Sequence, residues 1–122
     1  MYEVTSNQHK NRLYFTLKGF MSADEIKQAT EESIRQMERL KPGFTVISNI
    51  AEFSVAGPEA TSYISKMQGV AAQLGVRKVV RVVKSTISSM QFKRTQHLAD
   101  ANYETEDVYS VEEAERLLDA EA

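Results

Sequence analysis

A chain of 122 residues, 42% hydrophobic and 26% charged, has the length of one domain and the balance of an ordinary globular one. It has no cysteine, which excludes a disulfide framework, a thiol nucleophile and cysteine-bound zinc or iron–sulfur clusters. The formal net charge of −2 hides a segregation: between Glu59 and Asp100 stand Lys66, Arg77, Lys78, Arg81, Lys84, Lys93 and Arg94 with no acid, whereas from Asp100 onward the acids face Arg116 alone. Such asymmetry marks an anion-binding basic face, with Arg77, Lys78, Arg81, Lys93 and Arg94 as its candidates, or an acidic C-terminal part folded against a basic middle, or two stretches that are merely solvated.

Along the chain, residues 2–6 and 12–18 alternate as strands, and the polar run at 7–11 between them predicts an antiparallel hairpin. His9 falls in that turn, where exposure is the expected fate. Ser22 with Glu25 forms a capping box, after which Ile26, Thr30, Ser33, Ile34, Met37 and Leu40 recur at helical spacing until Lys41-Pro42-Gly43. Residues 44–50 read as a central strand, apolar on both sides of the pleat. Gly57 and Pro58 open the next helix as N-cap and first helical residue, with Ala60, Tyr63, Ile64, Met67, Val70, Ala71 and Leu74 on its buried stripe and Gly75 ending it.

Residues 78–84 form a second β-branched strand, placed parallel to the central one by a right-handed crossover. A hydroxyl-rich loop at 85–89 follows, and Ser88 with Gln91 suggests another capping box. The helix from about 89 to 101 is weakly periodic, with Met90, Phe92, Thr95, Leu98 and Ala99 expected inside. An acidic edge strand at 103–109 precedes a third capping box, Ser110 with Glu113, and a final helix docked through Ala114, Leu117 and Leu118. The fold class is therefore α/β: a single domain over residues 1–122 in the order β-β-α-β-α-β-α-β-α, with a mostly parallel sheet of about five strands, an N-terminal antiparallel hairpin and about four helices.

That order, with Phe44-Thr45-Val46-Ile47-Ser48-Asn49-Ile50 as central strand and Val108-Tyr109-Ser110-Val111-Glu112-Glu113-Ala114 closing the chain, resembles the STAS family, the domains shared by anti-sigma-factor antagonists and sulfate transporters. It is most similar to the divergent lipid-binding, SpoIIAA-like branch, also described as STAS/SEC14-like. The resemblance implies a non-enzymatic domain that works through protein–protein interaction, itself included, or that carries a lipid or anionic head group between sheet and helices. In the antagonists the central strand ends in an aspartate and a phosphorylatable serine opens the next helix. Here Asn49 takes the aspartate's position and Gly57-Pro58-Glu59-Ala60 opens the helix; Ser54 comes too early and Thr61 and Ser62 too late, so the phospho-switch does not carry over.

In open parallel sheets ligands collect beyond the carboxyl ends of the strands. The loops at 49–57 and 84–89 meet there and lead into helix N-termini, which favour anions. Asn49, Ser54, Lys84, Ser85, Thr86 and Ser88 are the candidate ligand or anion contacts; the plainer alternative is that the hydroxyls cap helices and shape turns. No catalytic residue, metal ligand or cofactor is assigned: the chain lacks a GxSxG elbow, a phosphate-loop glycine run and an HExxH. His97 and Asp100, one turn apart, have no nucleophile beside them. A pI near 5.7 and the absence of an RNP-type strand argue against nucleic acid. No apolar run reaches the ~20 residues of a membrane span, and residues 1–10 lack the features of a signal peptide, so a cytoplasmic location is expected. Tyr14, Phe53 and Tyr63 discriminate the two readings: lining a closed cavity they favour a carrier, forming a surface patch they favour a partner module.

Overall fold

The structure, a computed structural model, describes residues 1–54, 56–84 and 86–122. Five strands and four helices follow in the expected order: β1 (Tyr2–Asn7), β2 (Arg12–Leu17), α1 (Ala23–Met37), β3 (Thr45–Asn49), α2 (Pro58–Gln73), β4 (Lys78–Val82), α3 (Thr86–Leu98), β5 (Glu104–Val108) and α4 (Val111–Glu121). Spatial order repeats sequence order, β1-β2-β3-β4-β5, with β1 and β2 antiparallel and the remaining pairs parallel. Every parallel connection thus steps in the same direction across the sheet, and right-handed crossovers then place α1, α2 and α3 together on one face.

That face holds the larger core. Leu13, Phe15 and Leu17 of β2, Val46 of β3 and Val79 of β4 meet Ile26, Ala29 and Met37 of α1, Ile64 and Met67 of α2 and Phe92 of α3. Among the described residues the opposite face is covered by α4 alone, whose Ala114 and Leu118 pack on Ile47, Val80, Val82 and Val108. Over β1 and β2 that second face is polar, carrying Glu3, Thr5, Thr16 and Lys18, so the alternation of the hairpin strands is explained by one covered and one open side.

Local signals decide the ends of the elements. Ser22 accepts from the Glu25 amide at 3.1 Å while Glu25 Oε1 accepts from the Ser22 amide at 3.2 Å, completing the capping box of α1. Gly57 caps α2 with Pro58 as its first residue. At α4 the box is displaced by one residue: Ser110 accepts from the Glu113 amide, but Glu113 takes the amide of Tyr109. Gly75 sits at φ +90°, and a Cβ there would meet Pro42 at 3.2 Å, so the turn after α2 requires glycine twice over.

Helix α3 corrects the sequence reading. It starts at Thr86, so the expected loop over 86–89 is its first turn, and Ser88 is no N-cap. Its buried face is Ser88, Ser89, Phe92 and Thr95, whereas Met90 and Leu98 are exposed. The physical reason is that each hydroxyl finds an internal acceptor: Ser88 donates to the Phe53 carbonyl at 3.2 Å, Ser89 to Asp107 Oδ2, and Thr95 to the Phe92 carbonyl. Hydrogen-bonded serines are small enough to let the helix approach closely, and an apolar-only reading of the periodicity misses them. Gln91, expected in a capping box, instead holds the backbone before α2, accepting from the Ala56 amide at 3.0 Å and donating to its carbonyl at 2.7 Å.

Candidate functional site

The carboxyl edge of the sheet gathers the expected candidates without building an anion cradle from them. Asn49 is half-buried and accepts from the Ala51 amide at 3.3 Å, shaping the turn after β3. Ser54, also half-buried, gives its amide to the Gly19 carbonyl. Lys84 and Thr86 are exposed, and Lys84 lies 3.5 Å from Glu52 in a solvent-facing pair. Ser88 is buried and spent on Phe53. Ser85 lies outside the described residues. A groove of about 400 Å³ does open here, but Lys84 shares its wall with the carboxylate of Asp107, so its charge is balanced. Besides these polar groups, the edge exposes large apolar side chains from three different segments: Phe20 (92% exposed) after β2, Ile87 and Met90 in the first turns of α3, and Tyr109 (80% exposed) after β5.

The basic residues do not form one face. Period-two alternation in β4 sends Lys78 toward α4 and Arg81 under the opposite helices, and both are buried. Arg77, Lys93 and Arg94 are exposed, as a basic face requires, but Arg77 pairs with Glu121 at 3.2 Å and Lys93 with Asp107 at 3.6 Å. The charge segregation of the sequence is largely neutralised within the chain. Lys78 is held by Glu104, Glu106 and Glu121 at 3.2, 3.2 and 2.8 Å. Buried Arg12 donates to Glu115 at 3.0 Å and Asp119 at 2.9 Å, with Thr45 Oγ1 satisfying its Nε at 3.1 Å. Lys10 reaches the same two carboxylates, and the Tyr14 hydroxyl donates to Glu115.

This network sets a pH response. Hydrogen bonds from Arg12 and Lys10 hold Asp119 below its usual range, and those from Lys78 and Arg77 do the same for Glu121. Glu115 is also lowered, burial opposing its bonds from Tyr14, Lys10 and Arg12. Carboxylates depressed in the folded state contribute stability that is fully present above their unfolded values of about 4 and is lost as pH falls through the folded ones. Amide exchange in α4 is therefore expected to accelerate below about pH 4 before it does in α1 or α2. Uniform acceleration across all the helices would contradict this.

The third feature is internal. Between the sheet and α1, α2 and α3, toward the amino ends of the strands, lies a cavity of about 30 Å³, walled by apolar side chains such as Phe15, Val46, Met67 and Phe92 and by the polar groups of Ser48, Gln68, Arg81 and Tyr103. Arg81 is 1% exposed. Its Nη2 donates to Gln96 Oε1 at 2.6 Å, while Nε, Nη1 and the neighbouring Gln68 Oε1 have no hydrogen-bond partner among the described residues. Burial pushes the Arg81 pKa down and that of the Tyr103 phenol beside it up to about 12. Tyr14, Phe53 and Tyr63 satisfy neither arm of the discrimination expected of them. Phe53 is buried edge-on to Phe92 with centroids 6.3 Å apart, Tyr14 and Tyr63 are half-buried, and none of the three lines the cavity.

Among the described residues no helix is long and apolar enough to cross a membrane, and no three His, Asp or Glu groups are placed to hold a metal ion. Comparison of the chain with protein-family models, with curated proteins and with solved structures gave no match.

Proposed function

We propose that this chain is a STAS-like domain, without enzymatic activity, that works by binding another protein through the carboxyl edge of its sheet. The observation that carries the reading is the exposure of Phe20, Ile87, Met90 and Tyr109 along that edge. Large apolar and aromatic side chains left in water on one rim are the composition of an interaction surface, whose aromatic members act as anchors. The element order that underlies the resemblance, and a sheet whose parallel strands all open their loops onto the same rim, support the same placement. The switch serine of the antagonists is missing at the start of α2, and Thr61 and Ser62 are tied back to the Pro58 and Glu59 carbonyls, each at 2.7 Å. Binding in this chain is accordingly set by the surface itself rather than by phosphorylation.

Photocrosslinking tests this. With p-benzoylphenylalanine in place of Tyr109, a discrete adduct is expected in cells, either with a second copy or with another protein, and none with the same group at exposed Lys27 on α1. Adding Phe20→Ser removes an aromatic anchor of the kind that contributes about 2 kcal/mol or more, so the Tyr109 adduct should fall at least several-fold. Equal labelling from both positions, or an adduct indifferent to Phe20, would reject the edge as the interface.

A further inference from the structure

The orphaned polar groups under the helices point to a ligand, independently of the edge. A guanidinium carries five N–H donors, and Arg81 spends one nitrogen on Gln96 while Nε and Nη1 remain without a partner among the described residues. Gln68 faces the same space with an orphaned acceptor. Its Nε2 donates to the Phe92 carbonyl at 3.0 Å, which fixes the amide and leaves Oε1 buried and unpartnered. Buried charged donors left unmatched are costly, and a buried cation is normally paired. Asp107, paired in register with Arg81 on β5, acts on it through its charge but makes its hydrogen bond with Ser89 and its ion pair with Lys93.

The surroundings narrow the chemistry. With Asp107 shared between Arg81 and Lys93 one positive charge is left over, which calls for a monoanion, and the planar donors of the guanidinium match a carboxylate. The acceptor at Gln68 calls for a hydroxyl on the same molecule. A space of about 30 Å³ for water centres has room for about two waters, comparable to a two- or three-carbon acid and far short of a lipid acyl chain. The apolar walls suit its carbon skeleton. We propose that this cavity binds a compact hydroxy monocarboxylate, with the carboxylate on Arg81 and the hydroxyl on Gln68.

Thermal melting of the full chain in sodium glycolate tests the assignment, with sodium acetate lacking the hydroxyl and sodium chloride matching ionic strength. A ligand that binds only the folded state raises the melting temperature. A rise of a few degrees is expected in glycolate, a smaller one in acetate and none in chloride. Arg81→Met removes the unpaired charge while keeping the bulk, so it should fold at least as well as the parent and lose the glycolate response. Ala71→Val keeps the guanidinium but fills the space, and should lose the response as well; it decides the matter if Arg81→Met does not fold. Phe20→Ser, at the opposite end of the sheet, should leave the response intact. No glycolate-specific rise in the parent chain, or a rise of equal size in Ala71→Val, would overturn the proposal and leave ordered water as the partner of Arg81.

Discussion

Leu118→Ala is expected to lower the free energy of unfolding by about 2–5 kcal/mol, the usual range for emptying a fully buried leucine site. Leu118 is completely buried against Ile47, Val80, Val82 and Val108, and among the described residues only α4 covers this face of the sheet. The loss should lie toward the upper end because the same helix carries Glu115, Asp119 and Glu121 to Arg12 and Lys78. A helix that loosens leaves those buried cations with fewer partners, and breaking a buried pair from one side is strongly destabilising. Urea unfolding followed by circular dichroism measures it. A loss under about 1 kcal/mol would mean that α4 is not docked as described.

Phe92→Ala should cost about 3–5 kcal/mol. The ring is buried, stands edge-on to Phe53 at 6.3 Å and forms part of the wall around Arg81. Its backbone carbonyl also accepts from Gln68 and Thr95, but the substitution leaves those bonds in place. The expected loss is therefore one of packing, and the enlarged cavity next to an unpaired guanidinium invites water. Phe92→Leu, which keeps most of the volume, should recover more than half of the loss. Equal losses in Ala and Leu would locate the effect in the backbone of α3 instead.

Much of the fold was legible because its signals are local. Alternation in residues 12–18, the Ser22–Glu25 box, Gly57-Pro58 and the β-branched run at 78–84 each describe an element without reference to the rest of the chain. The sites were less legible, for identifiable reasons. In Lys78-Val79-Val80-Arg81-Val82 both faces of the strand are apolar, so alternation separates Lys78 from Arg81 but does not say that each cation is buried or under which helices. Gln68 sits among Met67 and Ala71 on the inward side of α2, a polar residue on an apolar stripe, and that anomaly was the available sign of the cavity.

The acidic network left a sign too. Asp119 and Glu121 occupy the last turn of α4, which has no basic residue, although carboxylates there oppose the helix dipole. A helix that violates its own electrostatic preference is answering charges elsewhere, and here they are the cations beneath it on β2 and β4. The anion site expected at the carboxyl edge rested on hydroxyls, and hydroxyls near a helix start are as readily consumed by the fold, as Ser88 shows.

Strand order equal to sequence order has a consequence for how the molecule is made. Each strand pairs with the one synthesised just before it, so the sheet can lengthen by one βα unit at a time, each parallel pairing closing a helical crossover whose entropy cost slows folding. The exception is α4: it emerges after all five strands and turns back across β3, β4 and β5, bringing the acids that satisfy Arg12 more than a hundred positions upstream. A nascent chain can therefore build most of its sheet while Lys78 and Arg12 still face the solvent, and it closes that face in a later, separate step. Mutations in α4 such as Leu118→Ala should accordingly hasten unfolding while leaving the refolding rate nearly unchanged.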